Sequence, residues 1–179
     1  VPGHPNLKVK VFVHKPKPAK PGSTPTPQLG NCTADLDSDA FVSDAGWYLP
    51  SEFTYRLNKA SVPTYVGSDN LLAISEAAFG VWTSAISGKV SLTYDGDTLA
   101  TRATTDGQNI ITWGRTSGSA LAVTYTWYYT SSGEVAEVDT IMNNKFFWTW
   151  NSEGACYANS YDAQNILTHE LGHWFGLDD

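Results

Sequence analysis

The chain has 179 residues, 41% of them apolar and 16% charged, with a formal charge of −7. That length supports one domain with a sizeable core. The acidic balance repels phosphate backbones and argues against nucleic acid as a partner, and no apolar run reaches the ~18 residues of a membrane span. The chain opens on Val1 without an initiator Met or a signal-peptide pattern, as a processed or engineered form whose export signal is gone would do.

Residues 7–14 (Leu-Lys-Val-Lys-Val-Phe-Val-His) alternate and predict a strand. Residues 15–27 carry repeated prolines, which exclude helix and central strand and predict an extended linker. Residues 1–29 therefore form an N-terminal arm, and residues 30–179 the globular domain. Residues 33–45, rich in Asp, Ser and Ala, read as a loop, and residues 53–57 as a strand. Helical spacing runs over residues 69–87 through Leu71, Ile74, Ala78, Val81, Trp82 and Ala85, with Ser68 or Asp69 as cap and Gly88 as stop. A strand follows over residues 89–94, then a turn at Asp95-Gly96-Asp97. Further strands are expected over residues 110–113, 121–129 and 134–142. A last helix over residues 162–175 is capped by Ser160 or Asp162 and ended by Gly176. The order of elements is that of an α+β fold with a mixed sheet.

Two cysteines, Cys32 and Cys156, are too few for a CxxC…CxxC metal site. Paired, they would close a long loop, worth ~4–5 kcal/mol in the chain-entropy model, and such a bridge fits an exported protein. Two unpaired thiols, or Cys32 as an inhibitory metal ligand, are the other readings. Asn31-Cys32-Thr33 is also a weak glycosylation sequon.

Residues 169–173 read His-Glu-Leu-Gly-His. In a helix, positions i and i+4 lie ~40° apart and ~6 Å along the axis, so both imidazoles leave one face and can meet one ion. Glu170 then flanks the ion as a base for water. A third ligand six residues after His173 would lie ~240° around a continued helix, out of reach. Gly176 breaks the helix and turns the chain back, which brings Asp179 toward the metal as a carboxylate ligand for Zn2+. His4 and His14, on the arm, are expected to be solvent-exposed bystanders.

With Gly176 and Asp179 added, the motif resembles that of the metzincin zinc peptidases, HExxHxxGxx followed by His or Asp. The likeness is greatest to the matrixin branch in its microbial form and runs over residues 47–179. Residues 47–57, the helix ending in Val81-Trp82, residues 107–113, residues 120–124 and residues 137–143 each resemble a matrixin element. The resemblance implies a zincin-like upper subdomain with a twisted, mainly five-stranded mixed sheet and two long helices. It implies a zinc endopeptidase with His169, His173 and Asp179 on the metal and Glu170 as catalytic base. Protein or peptide substrate would lie antiparallel along the edge strand Ala120, Leu121, Ala122, Val123 and Thr124. Structural Ca2+ is common in the family, and Asp95, Asp97, Asp106, Glu137 and Asp139 offer oxygen donors. The chain departs from the matrixin pattern in having Asp179 where His is usual. It also stops before a Met-turn, Met142 being its sole methionine, so the lower subdomain is expected to be absent.

Two other functions compete with an active, secreted or cell-surface peptidase. One is a structural, filament or binding protein on the same scaffold, self-associating by strand exchange through the arm. The other is a latent zymogen in which the arm or residues 32–39 block the cleft, with Cys32, Asp35, Asp37 or Asp39 capping the zinc.

Overall fold

A computed structural model describes residues 1–15, 30–31, 43–150, 155–156 and 160–178. Its elements are β1 (Leu7–His14), β2 (Gly30–Asn31), β3 (Glu52–Leu57), a 3₁₀ turn (Lys59–Ser61), α1 (Asn70–Ala85), β4 (Ser91–Asp97), β5 (Ile110–Gly114), β6 (Ala122–Tyr129), β7 (Val135–Asn143), β8 (Trp148–Thr149), β9 (Ala155–Cys156), β10 (Tyr161–Asp162) and α2 (Ala163–Trp174). The fold is α+β, built on a mixed six-stranded sheet in the order β1-β6-β7-β5-β3-β4. Strands β4, β3, β5 and β7 run parallel to their neighbours, and β6 turns back antiparallel to β7. None of the helices among the described residues is long and apolar enough to cross a membrane.

The expected five strands become six because β1 docks antiparallel on β6 over its whole length, from Leu7 opposite Tyr129 to His14 opposite Ala122. An edge strand leaves a row of unpaired N–H and C=O groups, and β1 satisfies those of β6 within the same chain. A second correction concerns Asp95-Gly96-Asp97. This segment is not a turn but the end of β4, with Gly96 at φ +93° where the register against β3 shifts between Tyr55 and Leu57. Glycine takes that positive φ without strain, so the strand bulges and continues.

Helix α1 follows its apolar spacing in its first half, where Leu71, Ile74, Ala78 and Phe79 are buried, whereas Val81 and Ala85 further on are exposed and Trp82 is half-buried. Asp69 precedes it without a side-chain capping bond. The two helices pack on each other and on the sheet through aromatic rings. Trp174 meets Phe53 and Phe79 at 6.0 and 5.4 Å between centroids, and Trp82 Nε1 donates to Thr168 O at 2.7 Å. Away from the main sheet, β2 pairs antiparallel with β9, with Asn31 opposite Ala155 and Gly30 opposite Cys156. Cys32, the proline linker beyond residue 15 and most of the 33–45 loop lie outside the described residues, and the side chain of Cys156 does too.

Candidate metal centre

Helix α2 carries the motif. Asp162 is its N-cap, its Oδ1 accepting from Asn165 N at 2.6 Å. Its C-terminus closes in a Schellman pattern: Gly176 N donates to His173 O at 3.4 Å and Leu177 N to Gly172 O at 3.1 Å, with Gly176 at φ +89°. The chain therefore does turn back after the helix, as the spacing requires. Asp179 itself lies outside the described residues.

A strap over residues 43–47 fixes this turn from the other side. Ala45 N donates to Gly176 O at 2.8 Å and Asp178 N to Ser43 O at 2.7 Å. Trp47 Nε1 donates to His173 O at 2.9 Å.

His169 and His173 stand one turn apart on α2, ring centroids 5.1 Å apart and nearly perpendicular. His173 Nδ1 lies 2.9 Å from Leu177 O. A carbonyl only accepts, so Nδ1 carries the proton, and in the neutral ring the lone pair is on Nε2. This is the orientation that outer partners impose on metal-binding histidines.

Glu170 is completely buried. Its Oε2 ends a directed chain of donors: Trp174 Nε1 to Thr140 Oγ1 at 2.9 Å, Thr140 to Thr124 at 2.8 Å, and Thr124 Oγ1 to Glu170 at 2.5 Å. Each hydroxyl has one proton. Because the one proton of Thr124 goes to the carboxylate, Thr124 accepts from Thr140, and the order of donation runs from the indole to the carboxylate.

The structure overturns the bystander role of His14. Its ring meets that of His169 edge-on at 4.2 Å, and its Nδ1 lies 3.8 Å from Glu170 Oε1. His14, His169 and Glu170 offer ligand atoms within 4.8 Å of one another, the single such group of three among the described residues. Around a tetrahedral zinc with bonds of ~2.0–2.2 Å the donors stand roughly 3.4 Å apart, so side-chain movements of about an ångström would close this set. His173 lies outside the group, its ring stacked on Phe12 at 3.8 Å and 7°. His4 is exposed.

The strand expected to be an open edge at residues 120–124 is not one: β1 covers it, and β6 itself begins at Ala122. Ala122, Val123 and Thr124 pair with His14, Val13 and Phe12, and Leu121 N donates to His14 O at 2.7 Å. Ala120 O accepts from Asn143 Nδ2 at 2.7 Å.

The carboxylates considered for calcium hold protein donors. Glu137 accepts from Gly107 N at 2.7 Å and Asp106 N at 3.1 Å, and Asp139 from Thr104 N at 3.0 Å and Ile110 N at 3.2 Å, so both anchor the loop over residues 104–110. Burial raises the Asp139 carboxyl to about 8, against the opposing Thr104 N–H. Burial also raises Glu137. Asp95 pairs with Arg56 at 2.8 Å, and Asp97 accepts from Tyr94 and pairs with Lys59.

Sequence reasoning missed His14, Phe12 and the donor chain behind Glu170. The available signal was an alternating strand ending on His14, which says nothing of where that strand docks. Comparison with protein-family models, with curated proteins and with solved structures gives no match for this chain.

Proposed function

We propose that the protein is a zinc-dependent endopeptidase of the metzincin type. One observation carries the reading: an extended peptide segment, β1, lies antiparallel along β6 with its main chain passing over the His-Glu-x-x-His helix. The site is thus built where a peptide backbone is held, which suits peptide-bond chemistry. The strand order β6-β7-β5-β3-β4, with β6 alone antiparallel, is compatible with the five-stranded sheet of the resemblance.

In this reading His169, His173 and Asp179 hold the metal. Zinc, when bound, supplies Lewis-acid polarisation of the scissile carbonyl and of the attacking water. Glu170 takes a proton from that water and passes it to the leaving amine. Thr124 Oγ1 fixes the carboxylate through Oε2, leaving Oε1 directed toward His14. The main chain of β6 holds the substrate in register. Work outside the cell and structural calcium on carboxylates among Asp95, Asp97, Asp106, Glu137 and Asp139 belong to the same proposal.

The test is Glu170→Gln. Wild type loaded with zinc and incubated with an unfolded protein should cut it, and a chelator should stop the cutting. Glu170→Gln should stay folded and lose the activity by roughly 10²–10⁴-fold, the span of general-base contributions. Cleavage that survives the chelator, or survives in Glu170→Gln, rules the mechanism out.

A further inference from the structure

The face that β1 turns inward is chemically odd. Lys10, Phe12 and His14 point toward α2, while Val9, Val11 and Val13 are 42%, 43% and 40% exposed. A one-residue slip of register would exchange the two sets and bury the valines. Apolar burial therefore does not choose this register. What the observed register provides is a contact for each inward residue with the motif: Lys10 pairs with Asp178, Phe12 stacks on His173, and His14 reaches His169 and Glu170. Lys10 also lies over the Phe12 and Trp47 rings at 4.9 and 5.7 Å.

We propose that His14 is a metal ligand delivered by the arm, and that β1 thereby closes the centre as a built-in latch. This rests on the zinc-site reading above. Three structural facts support it. His14 and His169 offer ligand atoms within 4.8 Å of one another, beside the base Glu170. Phe12 covers His173. The main chain of β1 fills the edge of β6 that a substrate would use, down to Leu121 N donating to His14 O. The latch is a pseudosubstrate that adds a nitrogen ligand, so docking and metal binding reinforce each other. Its release would expose Glu170, the edge and His173 together.

The experiment uses the full chain and the metal alone. Zinc affinity is measured by competition with a chromophoric chelator, and the visible spectrum is recorded after cobalt(II) substitution, for wild type, His14→Ala, His169→Ala and Val11→Ala. His14→Ala should weaken zinc by at least the ~10–100-fold that loss of an outer-shell partner costs, and should change the cobalt spectrum. Val11→Ala, on the outer face of the same strand, should match wild type. At saturating zinc, His14→Ala should also cut an unfolded protein faster than wild type. Wild-type affinity and spectrum in His14→Ala, with metal lost in His169→Ala, would overturn the latch and leave the zinc site standing. Equal weakening in Val11→Ala would show that docking, not ligation, is responsible, and would also overturn it. A cutting rate in His14→Ala no higher than wild type refutes the closure. Absence of tight zinc in wild type removes the site itself and the peptidase with it. If His14→Ala fails to fold, X-ray absorption at the zinc edge of wild type decides: the arm's imidazole must appear beside those of the helix, and a count of two or fewer refutes it.

Discussion

Replacing Gly176 by alanine should be among the most damaging single changes in the protein. The residue sits at φ +89°, where an L side chain is strained by ~1–2 kcal/mol. A Cβ there would also lie 2.2 Å from Trp47 O. Contacts below 3.0 Å are essentially never tolerated, so the strap must retreat by at least 3.0 − 2.2 = 0.8 Å. That retreat breaks or stretches Ala45 N to Gly176 O, Asp178 N to Ser43 O and Trp47 Nε1 to His173 O, each worth roughly 0.5–1.5 kcal/mol. The sum is about 2.5–6.5 kcal/mol. For a chain of this size it corresponds to a fall in Tm of roughly 5–25 °C. Urea denaturation followed by tryptophan fluorescence gives the free energy. Gly172→Ala is the control, because its Cβ would meet side chains alone, the Trp82 ring at 3.0 Å and Leu177 Cδ1 at 3.6 Å, and a side chain can yield. A Gly176→Ala protein within ~1 kcal/mol of wild type would refute the argument from the strap and the positive φ.

Two further outcomes follow from buried polar groups. Thr124→Val keeps the shape of the side chain but removes the donor to Glu170 and the partner of Thr140; it should cost roughly 1.5–3 kcal/mol in urea denaturation, as a lost hydrogen bond to a charged group does, and a stability equal to wild type would remove the donor chain from the account. Asp139, with a carboxyl raised to about 8 from an ordinary 3.8, keeps a proton in the folded state that the unfolded chain has lost between those values. Folding stability should therefore fall as pH rises from ~4 to ~8, by up to ~1.4 kcal/mol per unit from this group. Asp139→Asn, measured in chelator beside wild type, should flatten that slope, and an unchanged slope counts against it.

The elements that were legible in the sequence are those governed by local rules. The spacing of Leu71, Ile74 and Ala78 marked α1, Asp162 was one of two caps offered for α2, and Gly176 was read as the residue that stops α2 and turns the chain. Outside β4, no expected strand end moved by more than one residue. The misread turn at Asp95-Gly96-Asp97 shows the limit of such rules: a glycine between aspartates signals a change of backbone, and whether that change is a turn or a bulge depends on whether β3 lies alongside.

Alternation over residues 7–14 identified a strand but not its neighbour, and the neighbour decides everything about the arm. Lys10 reaches Asp178 across 168 residues, and Trp47 reaches His173 across 126. By itself the sequence determined that two imidazoles and a carboxylate share one helical face, because that follows from 3.6 residues per turn. Only the tertiary structure decided that His14 joins them and that Glu170 lies sealed beneath β1. Those contacts depend on which sheet edge is left with unpaired backbone groups and which register then satisfies both faces of the arriving strand, and neither is written in any local stretch of the chain.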